Sequence, residues 1–522
     1  MSRDTHLMKS RTSGADDAAS APPLPPENAV VEMQLRPDEL VATTRRLLAE
    51  GGRMQMVYAW WSAPERLELR YLVSQARGKP FMLWRCTPDA PVPSLAEICP
   101  LVGWYEREVT DLFGLVFENH PEPRRLIFHE GARVVEPPFK PDYPPGMPIT
   151  VEGQDHYVPL LGGAGDDVQL LPFGPVRADV VESAEFLFFY VGEQILHYHP
   201  QLFFKHRGME KRFEGLDPAA GTVVAERVSG IGSVAHALAY CQAVETLSHC
   251  TVPPRAQWLR ALLAEMERLY NHLHYLGHLA DTTTLKVGQA EGKLLEEQAK
   301  QLNAQLTGSR FLRSILTPGG LRRDLFPRGW LGEKLEELRA EASRYIQLLG
   351  ETDSFLDRLL TTGHLDGRIA FDQGATGPVE RASGIDRDLR RDHRYAAYAE
   401  LPLTVPVEKG GDAHARFKVR AAEIDASFVM MQRTLLLLPD GPVQAECRPS
   451  PDTQAFGWAE SPRGSLFYAV HVDGEGRLAR VKIKSPSFSN WRVFPFTVHD
   501  SNMMDYAINE ASFGLTIAGC DR

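Results

Sequence analysis

Cysteine is scarce and scattered. The six in this chain, Cys86, Cys99, Cys241, Cys250, Cys447 and Cys520, include no two within five positions of each other. That excludes zinc ribbons, ferredoxin-type cluster motifs and redox Cys-x-x-Cys pairs, all of which need closely spaced thiolates. An excess of positive charge is also missing. Lys plus Arg number 57 against 68 Asp plus Glu, a formal net charge of -11, which argues against broad electrostatic binding to nucleic acid or to an anionic membrane surface. Long apolar runs are absent too. The windows "AEFLFFYVG" and "RTLLLLP" fall short of the roughly 18 residues of a spanning helix, so membrane association is expected to go through a partner. No Gly-rich phosphate loop occurs, since "LLGGAGDD" lacks the flanking strand, the helix and the spacing; no direct NAD contact is expected. The start of the chain has no apolar signal core, and Asp4, Asp16 and Asp17 oppose a transit peptide, which points to the cytoplasm.

What is there reads as two domains, since 522 residues exceed one ordinary core. Residues 1–28 are rich in Ser, Ala, Asp and Pro with almost no bulky apolar side chains, and read as a disordered tail. Residues 29–136 read as a small α+β domain. Leu40, Thr43, Leu47 and Leu48 share a helical face, and "MQMVYAWWS", "LELRYLVSQ" and "KPFMLWRCT" read as three strands. Pro and Gly cluster from 137 onward, which makes residues 137–169 a linker. Residues 170–522 open on an alternating segment, "EFLFFYVGEQILHYHP", read as a hairpin, and continue as a mainly helical domain with a peripheral sheet. Its clearest helix runs from Pro253 to Asp281 with a stripe of Leu259, Leu262, Met266, Leu269, Leu273 and Leu276. "GKLLEEQAKQLNAQLTGSRF" and "LGEKLEELRAEASRYIQLLGETDSFLDRLL" read as two more, and "SLFYAVHVDGEGRLARVKIKSPS" as strands around a turn at Asp473 and Gly474. The fold class is α+β.

Two blocks carry a family resemblance. "GWYEREVTDLFGLVFENHPEPRRLIF", Gly103 to Phe128, resembles the signature of the C-type subunit of respiratory complex I. "FFKHRGMEKRFEG", "ERVSGIGSVAHALAYCQAVE", "VPPRAQWLRALLAEMERLYNHLHYLG", "GGLRRDL", "ATGPVERASGIDRDLRRDHRYAAY", "HARFKVRAAEI", "ESPRGSLFYAV" and "VKIKSPSF" follow in order. They resemble the D-type subunit of complex I and the large subunit of energy-converting nickel-iron hydrogenases. Everything but the tail is covered, in the order of a C/D-type fusion.

The hydrogenase resemblance implies four cysteine ligands, two in an early R-x-C-G-x-C segment and two in a late D-P-C-x-x-C-x-x-R segment. Soft anionic thiolate is what holds nickel and bridges it to iron. Aligned on Arg227, Gly230 and His236, the early pair is Ser229 and Gly232; aligned on Asp521 and Arg522, the late pair is Thr516 and Gly519. Glycine offers no donor and two hydroxyls do not replace four thiolates, so no working nickel-iron site and no directly bound cofactor are expected. The end at Arg522, with no tail to be clipped after nickel insertion, agrees with that expectation. The complex I resemblance implies a quinone headgroup in the vacated cavity, held by a turn histidine and a tyrosine. Here Arg177 and Val181 stand at the histidines of "GPVRADVVES", and the tyrosine position falls near Val224.

The resemblance carries over other residues. Arg463 matches an arginine that overlooks the metal, Glu182 an acidic proton-transfer position, and His236 follows the early segment. His206, Arg207, Glu210 and Lys211 match a segment beside the iron-sulfur cluster of the small subunit. A structural ion pair involving Arg463 and Glu182 is as good a reading as a proton relay. His272, His274 and His278 on one helix, and His197 with His199, read as packing and a strand end, not as metal ligands. "EREVTD" reads as structural salt bridges at an interface.

The resulting expectation is a subunit of a membrane-associated complex I-like or hydrogenase-related oxidoreductase, peripheral on the inner face of the cell membrane. Its partners would be an iron-sulfur small subunit and antiporter-like membrane subunits. It would pass electrons toward a quinone-like or unknown acceptor and couple this to ion translocation, or act as a silent coupling scaffold. NAD would be handled elsewhere in the complex.

Overall fold

The computed structural model describes residues 30–522 apart from 76, 89–90, 130, 144–146, 148, 152–156, 160–164, 166 and 178–181. The tail 1–28, parts of the 137–169 linker and Val181 lie outside the described residues. The architecture is α+β. The three expected strands of the first part are present as β2 (Arg53–Ala63), β3 (Arg66–Ser74) and β4 (Phe81–Cys86), with α1 over Leu40–Ala49 ahead of them. A strand the sequence reading missed, β1 (Val30–Leu35), precedes α1 and pairs in parallel with β4, giving the order β1-β4-β3-β2. Its side chains are mostly exposed at the sheet edge, so it carries no apolar alternation to read.

β3 is buried along nearly its whole length, because both faces of this sheet are covered. α2 (Gly103–Phe113) packs near β2 on one side. The other side meets a three-stranded sheet of the second part, built from Gln454–Ser461, Gly464–Val472 and Leu478–Lys484. Phe81 stands edge-on to Trp458 and Phe467 at 4.9 and 5.4 Å, and Trp60 stacks on His471 at 4.4 Å. One continuous apolar core therefore runs from Leu35 to Cys520.

The second part opens with strand Gln169–Phe173 and the hairpin Glu185–Val191 and Gln194–Gln201. Helices α3 (Pro218–Ala225), α4 (Ser233–Leu247), α5 (Pro254–Thr282), α6 (Lys286–Thr307) and α7 (Leu331–Gly350) follow. The expected stripe of α5 is buried throughout. α6 begins earlier than the sequence reading placed it and crosses α5 at two glycines: a Cβ on Gly292 would lie 2.5 Å from the Gly277 Cα. α4 approaches the sheet just as closely, since a Cβ on Gly457 would lie 1.9 Å from the Ala239 carbonyl oxygen.

Two corrections concern helices. The segment read as one helix from Leu331 breaks after Gly350 and restarts as Asp353–Leu359. Ala413–Leu437 is a long helix that the sequence reading did not place. Its inward face carries Arg416, Arg420 and Glu423, so apolar periodicity does not mark it.

Charge joins the two parts. Glu108, from "EREVTD" on α2, pairs with Lys482 at 2.5 Å and with Arg522 at 3.2 Å. Glu210 completes the group with Arg480 at 2.6 Å, Arg522 at 3.1 Å and Lys482 at 3.2 Å. All five side chains are buried. Burial alone would raise the Glu210 pKa, but Lys482, Arg480 and Arg522 hold it well below the usual carboxylate range. Removing one member leaves an opposite charge buried without a partner. Glu108→Ala is expected to lower stability by about 3–5 kcal/mol, read as a drop in unfolding midpoint; a change within the range of ordinary surface substitutions would show that the two parts are held by apolar packing alone.

Candidate functional site

The two segments aligned above with the hydrogenase ligand motifs, an early and a late one, meet. The early one is the turn between α3 and α4, which places Ser229 and Gly232 just ahead of the first turn of α4. The late one is the short helix Ile517–Asp521, which puts Thr516 at its N-cap and Gly519 in its first turn. Arg207 lies between them. Its guanidinium donates to the carbonyls of Arg227 at 3.0 Å and Val228 at 2.6 Å on one side, and to that of Ala518 at 3.0 Å on the other.

The side chains there are already engaged with one another. Thr516 Oγ1 accepts from the Gly519 N–H at 3.2 Å and lies 3.1 Å from Ser487 Oγ. A Cβ on Gly519 would come 2.5 Å from that same Thr516 Oγ1. The hydroxyl that caps the helix thus occupies the room a cysteine side chain would enter. At Gly232 the nearest atom to a Cβ is His236 Cδ2, an ordinary contact of 3.4 Å. These residues do not fit a nickel-iron centre: two positions have no donor atom, and the Thr516 hydroxyl is committed to its own backbone. Among the described residues no group of three or more His, Cys, Asp or Glu is arranged to hold a metal ion.

The residues expected to carry chemistry are placed as follows. Glu182 accepts from the N–H groups of Ile517 at 2.5 Å and Ala518 at 3.1 Å, and lies 3.8 Å from Lys205 Nζ. It is an anchor at the N-terminus of the late helix, where negative charge is favoured. Arg463 donates to the Gly514 carbonyl at 2.7 Å and to Asn271 Oδ1 at 2.6 Å, and pairs with no carboxylate among the described residues. The structural ion pair between Arg463 and Glu182 is therefore absent. Burial lowers the Arg463 pKa to about 10, still cationic at neutral pH. His236 Nδ1 is 2.8 Å from the Tyr468 hydroxyl, and burial, reinforced by Arg207, pushes its pKa down to about 3. It is a neutral imidazole across the physiological range.

In the "KHRGMEK" segment, His206 donates from Nδ1 to the Asp521 carbonyl at 2.6 Å, and its pKa is lowered by burial. Glu210 belongs to the ion cluster that joins the two parts, and Lys211 pairs with Glu214 at 2.6 Å near the surface. Arg177, at the first turn-histidine position, pairs with Glu510 at 3.5 Å and faces the Phe186 ring at 4.5 Å. Val224 lies in α3, partly buried. Of the helix histidines, His272 bonds Glu423 at 2.8 Å and His274 bonds Glu296 at 2.9 Å.

Sequence reasoning missed two neighbours of the site, both on α5. Asn271 donates to the Ile231 carbonyl at 2.8 Å while accepting from Arg463, so it ties the early segment to Arg463. Glu267, one turn earlier, accepts from the N–H groups of Val234 at 2.6 Å and Ala235 at 3.0 Å, capping α4. Burial raises its pKa to about 7. The signal was present in "MERLYNHL", where two polar side chains interrupt an apolar stripe at a spacing of one turn.

Comparison with known proteins places this geometry. Residues 33–148 match the family described as the respiratory-chain NADH dehydrogenase 30 Kd subunit, and residues 295–450 and 446–522 match the 49 Kd subunit of the same enzyme. Residues 207–309 match the nickel-dependent hydrogenase family. Formate hydrogenlyase subunit 5 of Escherichia coli K12 is 32% identical over 449 residues, covering 83% of this chain and 78% of that protein. The fused C/D subunit of NADH-quinone oxidoreductase from Gluconacetobacter diazotrophicus is 29% identical over 487 residues, covering 83% and 80%. A solved chain of the membrane-bound sulfane sulfur reductase, an archaeal respiratory membrane complex, superposes with a TM-score of 0.65 at 27% identity, covering 68% of this chain and 99% of that one. The relatives are subunits of complex I-like and hydrogenase-related membrane complexes. No helix among the described residues is long and apolar enough to cross a membrane.

Two measurements probe the site. Thr516→Ala removes the cap and is expected to cost about 1 kcal/mol, and Gly519→Ala a similar amount through crowding. The double variant should cost clearly less than their sum, because the added methyl then fills the vacated space; strict additivity would separate the two side chains. For Glu267, a folded pKa of about 7 against an ordinary 4.5 means its contribution to stability is fully present below pH 4.5 and is lost as pH rises through 7. Glu267→Gln should therefore gain on the parent by roughly 3 kcal/mol between pH 4 and pH 8, followed by thermal unfolding across that range.

Proposed function

The chain belongs to the family that unites fused complex I C/D subunits with the large subunits of energy-converting hydrogenases, and from that premise we propose that it is a coupling subunit of such a complex without a nickel-iron centre. It would sit in the peripheral arm, against an iron-sulfur small subunit and above antiporter-like membrane subunits, on the inner face of the cell membrane. The observation that carries this reading is the Arg207 clamp, which draws the early and late segments together through three backbone carbonyls. With Thr516 and Glu182 also spent on backbone N–H groups, the segments form a braced joint. A joint of this kind transmits movement between the face carrying Lys211 and the helical bundle, and so couples events at a neighbouring cluster to ion translocation.

One observation favours a second reading, electron transfer to a quinone-like acceptor at the same place. Arg463 is half-buried, and its Nη2 has no partner among the described residues. A cation held only by neutral oxygens is suited to steady a negative headgroup oxygen. In that reading Glu182 and His236 would serve the accompanying protons.

The purified complex separates the two. Stoichiometric nickel in this chain would refute both. With nickel absent, assembled complex carrying Arg463→Ala should keep its electron-transfer rate if the chain is a coupling subunit; loss of quinone-dependent turnover without loss of assembly selects the second reading instead.

A further inference from the structure

A cavity of about 360 Å³ lies away from the former metal position, between α2 with its following loop and the hairpin Glu185–Val191 and Gln194–Gln201. Its volume is within the range of small-molecule sites, and pockets of this kind favour the seam between two structural units. Charge on its wall is one-sided. Arg107, Arg124, Arg125 and Arg492 face a single carboxylate, Glu122.

Two of these arginines share Glu122, and the third, Arg125, is exposed to solvent. Arg107 pairs with Glu122 at 2.9 Å and donates to the carbonyls of Arg124 and Arg125 at 2.7 Å each. Arg124 also pairs with Glu122 and lies over the Tyr157 ring at 3.6 Å. Arg125 bonds the Ala132 carbonyl. Arg492 differs. Only 8% exposed, it donates from Nη1 to the Pro100 carbonyl and has no carboxylate partner among the described residues. Burial lowers its pKa to about 9, so it remains a cation at neutral pH. A buried charge is costly unless paired.

The rest of the wall suits an organic ligand. The imidazoles of His197 and His199, two residues apart on one strand face, make no hydrogen bond among the described residues, and that of His197 lies against His499 at 4.9 Å. Burial lowers the pKa of both, that of His199 to about 4, which leaves neutral imidazoles able to donate or accept. Gln201 Oε1, on the same wall, is buried with no partner among the described residues. Trp104, Tyr157, Phe203 and Phe496 supply flat apolar surface.

We propose that this cleft is a binding site for a small organic anion: a carboxylate on a planar ring, with the anionic group on Arg492, the ring between the aromatic side chains, and His199 and Gln201 fixing its orientation. Neither Arg492 nor the histidines belong to the site of the previous subsections, so the inference stands independently of the function proposed above.

Calorimetric titration of the purified complex with benzoate and, separately, with inorganic phosphate tests it. Saturable benzoate binding is expected, weakened at least tenfold by Arg492→Met. Should that variant fail to assemble, His199→Leu, which breaks no described hydrogen bond, should weaken binding at least threefold. Absence of saturable benzoate binding, or unchanged binding in these variants, overturns the proposal. Binding of phosphate in place of benzoate overturns the assignment to a ring-bearing anion.

Discussion

Five buried charges hold this molecule in its present form. Glu108 enters from the first part and Glu210, Arg480, Lys482 and Arg522 from the second, within salt-bridge distance and shielded from water. Such a group is tolerated only when every member is paired, and its value lies in geometry more than in net stability. It fixes α2 over the three-stranded sheet. It also pins Arg522 and, through His206 and Lys205, which bond Asp521, the whole late segment. The joint between the early and late segments is thus shaped by a contact between the two parts of the chain.

That dependence bears on how the early and late segments are held together. Arg207 bonds across the gap between them, a rigid fork reaching three carbonyls. Ser487, Glu182 and Thr516 accept from the N–H groups of residues 516 to 519. Buried polar groups left open would be costly, and the joint leaves these backbone groups paired.

The site and the anion cleft use cationic side chains differently. At the joint, Arg207 is spent on carbonyls that belong to the fold, and Arg463 on Gly514 and Asn271. In the cleft, Arg492 is buried with one carbonyl and no counter-charge. A second buried network, in which Arg268, Arg381 and Arg390 meet Glu423, Glu460, Asp388 and Glu265, also takes in His272. It stiffens the contact between the helix Ala413–Leu437 and the sheet.

The α+β class, α1, β2 to β4, α5 and the hairpin were legible in the sequence, because these rest on local periodicity. It did not determine β1, whose exposed edge position removes alternation, nor the break after Gly350. It also missed the helix Ala413–Leu437, whose inward charges are matched by partners far along the chain. Positions could be aligned to a motif, but what each side chain does was decided by tertiary structure: Glu182 caps a helix, Glu210 joins a cluster, and Arg463 bonds neutral oxygens. The reason is physical. A polar group's role is set by the partner that satisfies it, and here those partners lie 51 to 335 residues away, where only the folded chain brings them within hydrogen-bonding distance.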